Sequence, residues 1–263
     1  MTSFTYTQAA SLAEACSKAA GNEAKLIAGG QSLLGAIKLG LAAPEALIDL
    51  SGLADLKGIR VDAGHVVIGA MTTHAAVAAS KALQQAIPAL ADLACRIGDR
   101  QVRNRGTLGG SLANNDPAAC YPAAVLALGA TIYTDRRSIS ADDFFLGLFE
   151  TALQPGEVIT SVSFPIPHKA GWQKFKQPAS RFSLVGVFVA QTAAGVRVAV
   201  TGAAACVFRA TALETALNAK WSQAATLAVG ISPAQLSSDL HGSADYRAAL
   251  IPVLAGRAVA ACP

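Results

Sequence analysis

Two glycine pairs provide residue types that could hold a phosphate group. Residues 28–32 read AGGQS, and residues 106–111 read GTLGGS. Adjacent glycines permit positive φ angles and let backbone N–H groups approach a ligand, and a helix beginning after the turn adds its positive dipole end. The alternative is that each pair only forms a tight turn whose serine caps a helix. The residues by themselves leave both interpretations open.

Known phosphate and hydrolase motifs do not fit these turns. Gly30 and Gly35 have the spacing of P-loop glycines, but Ala36 and Ile37 stand where a lysine and a hydroxyl are required. The first strand–helix turn lacks the Gly-x-Gly-x-x-Gly pattern of Rossmann domains, and the chain has no Gly-x-Ser-x-Gly elbow. The remaining interpretation is a dinucleotide held by two separate glycine turns, one from each of two neighbouring subdomains.

Composition disfavours several other classes of protein. The five cysteines are widely separated and the four histidines lack the spacing of a helical metal motif, so we expect no metal centre in this chain. A net charge of +4 without long Lys/Arg runs disfavours nucleic-acid binding. The longest apolar run, residues 121–133, is shorter than the ~20 residues of a membrane span. The odd cysteine count and the lack of a recognisable signal peptide predict a cytoplasmic protein with reduced thiols.

The elements that must position the two turns mix helices with strands, which predicts an α+β fold in two parts, residues 1–165 and 166–263. The boundary follows from residues 165–167 (PIP), which break regular structure. For the first part the pattern predicts helix 11–20, strand 25–28, helix 33–41, strand 46–50, hairpin 59–70, helix 88–97, loop 99–116, buried helix 117–129 and strands 131–134 and 158–164. For the second part it predicts a hairpin of strands 182–190 and 196–201 and a helix over 210–219.

Four segments together resemble the signatures of one family. They are, in chain order, residues 25–34 (KLIAGGQSLL), 68–74 (IGAMTTH), 103–117 (RNRGTLGGSLANNDP) and 173–182 (QKFKQPASRF). The family is the FAD-binding medium subunit of molybdenum hydroxylases, the group that contains carbon monoxide dehydrogenase and xanthine dehydrogenase. The similarity runs from about residue 4 to residue 218, so it covers most of the chain.

This resemblance implies a particular domain organisation. Residues 1–165 would form a vanillyl-alcohol-oxidase (PCMH)-type FAD-binding domain, made of two α/β subdomains at about 1–53 and 54–165. Residues 166–263 would form the smaller α/β C-terminal domain of the flavoprotein subunit.

The resemblance also implies which residues bind FAD. The first turn would contact the pyrophosphate and ribityl region through Leu26, Ile27, Ala28, Gly29, Gly30, Gln31, Ser32 and Leu33. The second turn would bind the cofactor from the other side through Thr107, Gly109, Gly110, Ser111 and Asn114. Ile97 would line the adenine side, while Ile159, Thr160 and Lys176 would lie near the isoalloxazine. Ile159 could equally be an ordinary strand residue and Lys176 a solvated surface lysine, and we interpret His74 as a turn or capping residue rather than a flavin ligand.

One position departs from the family pattern. Members usually carry Asp where this chain has Cys120, and that acid is expected to hydrogen-bond the cofactor. Cysteine is a weak donor and a poor acceptor, so FAD should bind less tightly unless a neighbour such as Asp116 compensates. The lost charge-assisted hydrogen bond corresponds to about 1.5–3 kcal/mol.

The function implied by the resemblance is electron transfer within a heterotrimer, and two heterotrimers would form a dimer. Substrate would be oxidised at a molybdopterin cofactor in a large subunit, and two [2Fe–2S] clusters of a small subunit would deliver electrons to FAD in this chain and on to an external acceptor. No catalytic residue is expected here. Two alternatives remain: a flavin-depleted docking subunit, suggested by Cys120, and a free-standing flavin oxidase of the same fold.

Overall fold

The computed structural model describes residues 3–21 and 23–262. Three main sheets follow one another along the chain, and each defines one part of the fold. The first part is a parallel sheet with helical connections. The elements are β1 (Thr5–Gln8), α1 (Leu12–Ala19), β2 (Ala24–Ile27), α2 (Leu33–Lys38) and β3 (Ala46–Asp49). The strand order β1–β3–β2 pairs Ile27 with Asp49, so the carboxyl ends of β2 and β3 lie side by side. The first glycine turn therefore leaves the sheet at the edge where open α/β sheets bind ligands.

The second part is an antiparallel sheet covered by helices. A short 3-10 helix (Ala54–Leu56) precedes β4 (Ile59–Asp62), β5 (His65–Gly69), α3 (His74–Ala79), α4 (Lys81–Ala86), α5 (Pro88–Cys95), α6 (Arg100–Arg105), α7 (Leu108–Asn114), α8 (Tyr121–Leu128), β6 (Thr131–Thr134), β7 (Ser138–Ser140), α9 (Ala141–Phe144), β8 (Phe145–Gly147), β9 (Glu150–Thr151) and β10 (Ile159–Pro165). The sheet order is β4–β5–β10–β6–β7. All eight residues of α8 are buried, as expected for a helix that is apolar on every side.

The third part is a four-stranded antiparallel sheet with both faces covered. Its elements are β11 (Lys169–Lys176), β12 (Ser183–Thr192), β13 (Gly195–Thr201), β14 (Phe208–Arg209), α10 (Thr211–Ala219), α11 (Gln223–Leu227) and α12 (Ala244–Ala260). Phe188 and Ala190 share a core with α8, whereas Val187 and Val189 pack with α10 and α12. Alternate residues of a strand face opposite sides, so an almost continuous apolar strand is buried on both.

Two sequence predictions differ from the structure, and several elements, α12 among them, were not predicted. Residues 99–116 were expected to form a loop, but they contain α6 and α7, because the side chains of Asp99 and Thr107 cap the two helices. The helix expected from Pro117 begins only at Tyr121, since the carbonyl of Pro117 accepts hydrogen bonds from the C-terminal part. Helix α12 has no counterpart among the predicted elements, because Pro252 and Gly256 interrupt its pattern.

The remaining predicted helices and strands are confirmed within a few residues at their ends. The chain changes from one sheet to the next between β10 and β11, at the predicted boundary. Because Trp172 and Phe188 pack into the same core as α8, the division into separate domains stays a prediction.

Candidate functional site

The first glycine turn presents free backbone donors. Gly30 has φ +74°, a left-handed conformation that glycine adopts without strain. In the described part of the chain, the N–H groups of Gly29, Gly30, Gln31 and Ser32 have no protein acceptor. The Ser32 side chain makes no capping bond to α2. A run of free amides with a hydroxyl beside it is the donor set that a phosphate group prefers.

The second glycine turn uses its amides differently. Gly110 N–H donates to Thr107 Oγ1 over 3.1 Å, and Gly109 N–H donates to the carbonyl oxygen of Ala70 over 2.8 Å. These two amides are therefore already occupied. The side chains of Ser111 and Asn114, one turn apart on α7, have no hydrogen-bond partner among the described residues. The second turn thus offers side-chain donors where the first offers backbone donors.

The structure brings the two turns into contact. A Cβ on Gly29 would overlap the carbonyl oxygen of Arg105, and a Cβ on Gly110 would lie 3.5 Å from the Cβ of Ala28. The glycine at position 29 is thus required by the neighbouring backbone. The two turns, which are far apart in sequence, form adjoining walls of one surface.

Residues 70–74 brace the second turn from behind. Gly109 N–H donates to Ala70, Leu108 N–H donates to Thr72 over 3.1 Å, and His74 N–H donates to Gly106 over 2.9 Å. Residues 70–74 lie in a segment that carries the family resemblance, but their pairing with the second turn is visible only in the structure.

His74 is buried behind the same turn. The residue is 5% exposed, its ring centroid lies 5.3 Å from that of Tyr121, and its Nδ1 has no hydrogen-bond partner among the described residues. Burial, helped by the positive charge of Arg103, lowers the pKa of His74 to about 4, so the ring is neutral at pH 7. His74 is the first residue of α3, while Thr73 supplies the cap.

Two arginines that the sequence analysis did not single out hold the turn after α5. Arg103 Nη1 donates to the carbonyl oxygens of Ile97 and Gly98, over 2.9 and 3.2 Å. Arg181, from the turn between β11 and β12, donates to Gly98 over 3.2 Å. Ile97 is half-buried, next to this doubly bound carbonyl. Arg103 lies inside a segment that carried the family resemblance, which was the available signal.

The other expected FAD contacts occupy varied positions. Leu26 and Ile27 pack into the cores of the first part, and Leu33 is half-buried. Ile159 is 5% exposed within the core of the second part. The carbonyl of Thr160 accepts from Ala70 N–H over 2.9 Å, which joins it to the brace of the second turn. Lys176 is exposed at the end of β11.

Asp116 and Cys120 lie between α7 and α8. Asp116 Oδ1 accepts from the N–H of Ala118 over 2.8 Å, which closes a local turn. Cys120 is 6% exposed, and its Sγ lies 3.4 Å from Lys174 Nζ and 3.6 Å from Ser183 Oγ. Compensation by Asp116 for the missing acid stays a prediction.

A buried acid stands at the sheet edge beside the first turn. Asp49 accepts hydrogen bonds from the hydroxyl of Tyr6 and from Ser51 N–H and Oγ. Burial acts to raise the pKa of Asp49, but these hydrogen bonds and the charge of Arg105 outweigh it, so the net pKa is below its ordinary value. The acid fixes the chain where β1 and β3 end.

The described residues contain no cluster of three or more His, Cys, Asp or Glu side chains that could hold a metal ion. Over the same residues, no helix is both long and apolar enough to cross a membrane.

The donor set fits the diphosphate of a dinucleotide. The amides of residues 29–32 and the side chains of Ser111 and Asn114 have no partner among the described residues, and the charge of Arg105 acts on Asp49, which pairs with the end of β2 just before the first turn. The two glycine turns are in contact, so a single ligand could reach both of them.

Comparison with known proteins gives one matching family model and close relatives. The model described as the FAD binding domain in molybdopterin dehydrogenase matches residues 2–167. The nicotine 6-hydroxylase medium subunit of Paenarthrobacter nicotinovorans is 36% identical over 97% of this chain and 95% of its own length. The carbon monoxide dehydrogenase medium chain of Hydrogenophaga pseudoflava is 36% identical over 91% of this chain and 89% of its own.

Solved structures agree with these relatives. A chain of carbon monoxide dehydrogenase from Hydrogenophaga pseudoflava, in a form lacking the Mo-pyranopterin moiety, matches with a TM-score of 0.89 at 36% identity, covering 98% of this chain and 96% of that chain. A chain of quinoline 2-oxidoreductase from Pseudomonas putida 86 matches with a TM-score of 0.88 at 31% identity and the same coverage.

Proposed function

The chain belongs to the FAD-binding medium subunits of the molybdenum hydroxylase family, and we propose that it holds FAD between its two glycine turns and passes electrons from [2Fe–2S] clusters of a partner subunit to an external acceptor. As a member of this family it is a subunit of a molybdenum-containing dehydrogenase complex. FAD, when bound, supplies the exchange of one or two electrons at a time.

The observation that carries the proposal is the contact between the two turns. Gly29 packs against the backbone of Arg105, and a Cβ on Gly110 would lie 3.5 Å from the Cβ of Ala28, so the first turn is in contact with the residues that enter and begin α7. In this proposal the amides of residues 29–32 and the Ser32 hydroxyl bind phosphate oxygens, and Ser111 and Asn114 bind from the opposite wall. The hydrogen bonds between residues 70–74 and residues 106–109 hold the second turn in place.

Three further roles belong to the same proposal. Ile97 lines the adenine side, held by Arg103 and Arg181 through the adjoining carbonyls. Thr160 and Lys176 lie towards the isoalloxazine. Ile159 would support them from within the core, because its side chain is buried.

The partners in this proposal are a large molybdopterin-binding subunit and a small subunit with two [2Fe–2S] clusters, assembled as a dimer of heterotrimers in the cytoplasm. The relatives are named medium subunits or medium chains, which supports an assembly of this chain with other subunits. Substrate oxidation belongs to the large subunit, so this chain needs no pocket for an organic substrate.

Purification of the native complex tests the proposal. We expect FAD in equimolar amount with this chain, together with iron and molybdenum, and we expect limiting dithionite to bleach the flavin band along with the cluster bands. A bound flavin that stays oxidised while the clusters are reduced would contradict the electron-transfer role.

Two alternative functions have distinct outcomes in the same experiment. A docking subunit that has lost flavin, suggested by Cys120, would purify in the complex without FAD. A free-standing flavin oxidase would purify alone, with flavin turnover and without iron or molybdenum.

A further inference from the structure

A cysteine and a lysine meet where the start of α8 lies against β11. Cys120 Sγ lies 3.4 Å from Lys174 Nζ, although the two residues are 54 positions apart. Lys174 Nζ also donates to the carbonyl oxygen of Arg181 over 2.9 Å, which holds the amine in this position. Within the described chain, Lys174 has no carboxylate partner. Its amine therefore faces a sulfur atom and a carbonyl instead of an acid.

The other cysteines have different surroundings. Burial and a hydrogen bond with Asp135 raise the pKa of Cys16 to about 11, and burial raises that of Cys262 to about 11. Both thiols therefore stay protonated at neutral pH and react slowly with oxidants. Cys206 lies near the amide of Asn115, and Cys95 is exposed. Among the five cysteines, Cys120 is the one whose sulfur contacts an amine in the described chain.

The identity of residue 120 decides what this contact can do. With an Asp at this position, as the family pattern has it, Lys174 would lie beside a carboxylate, which no mild oxidant alters. With Cys120 the same lysine lies beside an oxidisable atom. Sulfenic acids condense with a nearby nitrogen to form a sulfenamide, in which sulfur and nitrogen are bonded directly.

We propose that Cys120 and Lys174 form a reversible sulfenamide cross-link when the protein meets hydrogen peroxide. Peroxide oxidises the thiol by two electrons to a sulfenic acid and is itself reduced to water. Lys174 releases a proton to solvent, and its nitrogen attacks Sγ. The S–N bond forms as the S–OH bond breaks, and the hydroxyl leaves with the second amine proton as water. A thiol reductant reverses the link by attacking sulfur and returning the amine.

The cross-link would join two parts of the fold. Cys120 directly precedes α8, and Lys174 lies in β11 of the C-terminal sheet. The segment before α8 is already held there through Thr201, whose hydroxyl donates to Pro117 and Ala119. The cross-link therefore requires little movement of the backbone. It would connect the segment before α8 covalently to strand β11 of the C-terminal sheet.

The test is peptide mass analysis of the native complex after brief treatment with hydrogen peroxide. Free thiols are blocked by an alkylating reagent, and the protein is digested without reductant. We expect a linked peptide pair containing Cys120 and Lys174, lighter than the sum of the two free peptides by about 2 Da, for the two hydrogens lost. A thiol reductant should abolish the pair and restore alkylation of Cys120.

Matched variants separate the cross-link from general oxidation. Lys174→Arg keeps the positive charge but removes the amine, and Cys120→Ser removes the sulfur with little change in size, so neither should give the pair. Cys16 and Cys262 serve as internal controls that stay unlinked. Cys120 that alkylates fully after peroxide treatment, or that gains oxygen while Lys174 stays free, would overturn the proposal.

Discussion

A Cβ atom on Gly106 would lie 2.5 Å from Nε2 of His74. The histidine ring thus fills the space beside the residue that enters the second glycine turn, and the neutral ring packs there without a charge to solvate. The ring of His74 leaves no room for a side chain at position 106. Thr107, which follows Gly106 directly, caps α7.

This fit predicts a complementation between two substitutions. Gly106→Ala should lower FAD affinity about tenfold, because the added methyl pushes the turn away from the first wall. Adding His74→Ala should restore part of that affinity by vacating the space. Gly35→Ala, which has no atom within 4 Å of its added Cβ, is the control and should bind FAD normally. The measurement is FAD content and dissociation constant of the purified proteins, and a double variant no better than Gly106→Ala alone would contradict the fit.

Gly110→Val should reduce FAD affinity by more than tenfold while the chain stays folded. A Cβ there already lies 2.9 Å from Thr107 Oγ1, and the larger branches would extend towards Ala28, into the junction of the two turns. Ala113→Val, on an exposed face of the same helix, is the matched control. Flavin absorbance per protein and circular dichroism report the two effects. If Gly110→Val retains full FAD, the turns serve only the fold.

Ser111→Ala should weaken FAD binding by a smaller factor, on the order of one hydrogen bond of about 0.5–1.5 kcal/mol. The hydroxyl has no protein partner in the described chain, so its removal should leave the free energy of unfolding nearly unchanged. Fluorescence titration with FAD measures the affinity. A large loss of stability with unchanged affinity would assign Ser111 to the fold instead.

Arg103→Gln should lower FAD affinity about tenfold, because the guanidinium holds the carbonyls of Ile97 and Gly98 with charged hydrogen bonds. Arg100→Gln is the control, since Arg100 lies on the same helix and its exposed side chain donates to neither carbonyl. The same titration compares the two variants. If the two variants lose FAD affinity equally, the loss of positive charge, and not the release of the turn, would explain the change.

The lowered pKa of Glu157 predicts that the stability of the fold depends on pH. Its side chain accepts from Arg137 Nε over 2.9 Å and from Gln154 N–H over 2.8 Å, and the hydrogen bond from Arg137 is the main reason that its pKa falls to about 2. A lowered pKa means that the carboxylate stabilises the fold above about pH 4.5, and that this contribution is lost as pH falls towards 2. Glu157→Gln should therefore lower the thermal unfolding midpoint at pH 7.

The difference between wild type and Glu157→Gln should shrink below about pH 4.5 and vanish near pH 2. Thermal unfolding followed by tryptophan fluorescence across this range measures it. Glu150→Gln, a substitution of an exposed acid nearby, is the control and should show no such difference. If the difference in unfolding midpoint between wild type and Glu157→Gln stays constant with pH, the effect comes from packing and not from the charge of the carboxylate.

Residue types and spacing alone indicated which chemistry the site could perform. Adjacent glycines followed by Ser32 and Ser111 indicate a phosphate cradle, because their freedom of φ and their hydroxyls are properties of the residues themselves. The apolar periodicity likewise predicted most helices and strands, since each depends on a local stretch of chain.

Only the tertiary structure decided how the glycines are used and which side chains meet. Gly29 is small because Arg105 packs against it, and Gly109 gives its amide to Ala70, so neither role is visible in a local stretch of sequence. The contact of Cys120 with Lys174 likewise depends on the docking of β11 against the segment before α8. Contacts between residues distant in sequence arise when apolar surfaces of separate elements are buried together, so their partners are set by packing and not by spacing along the chain.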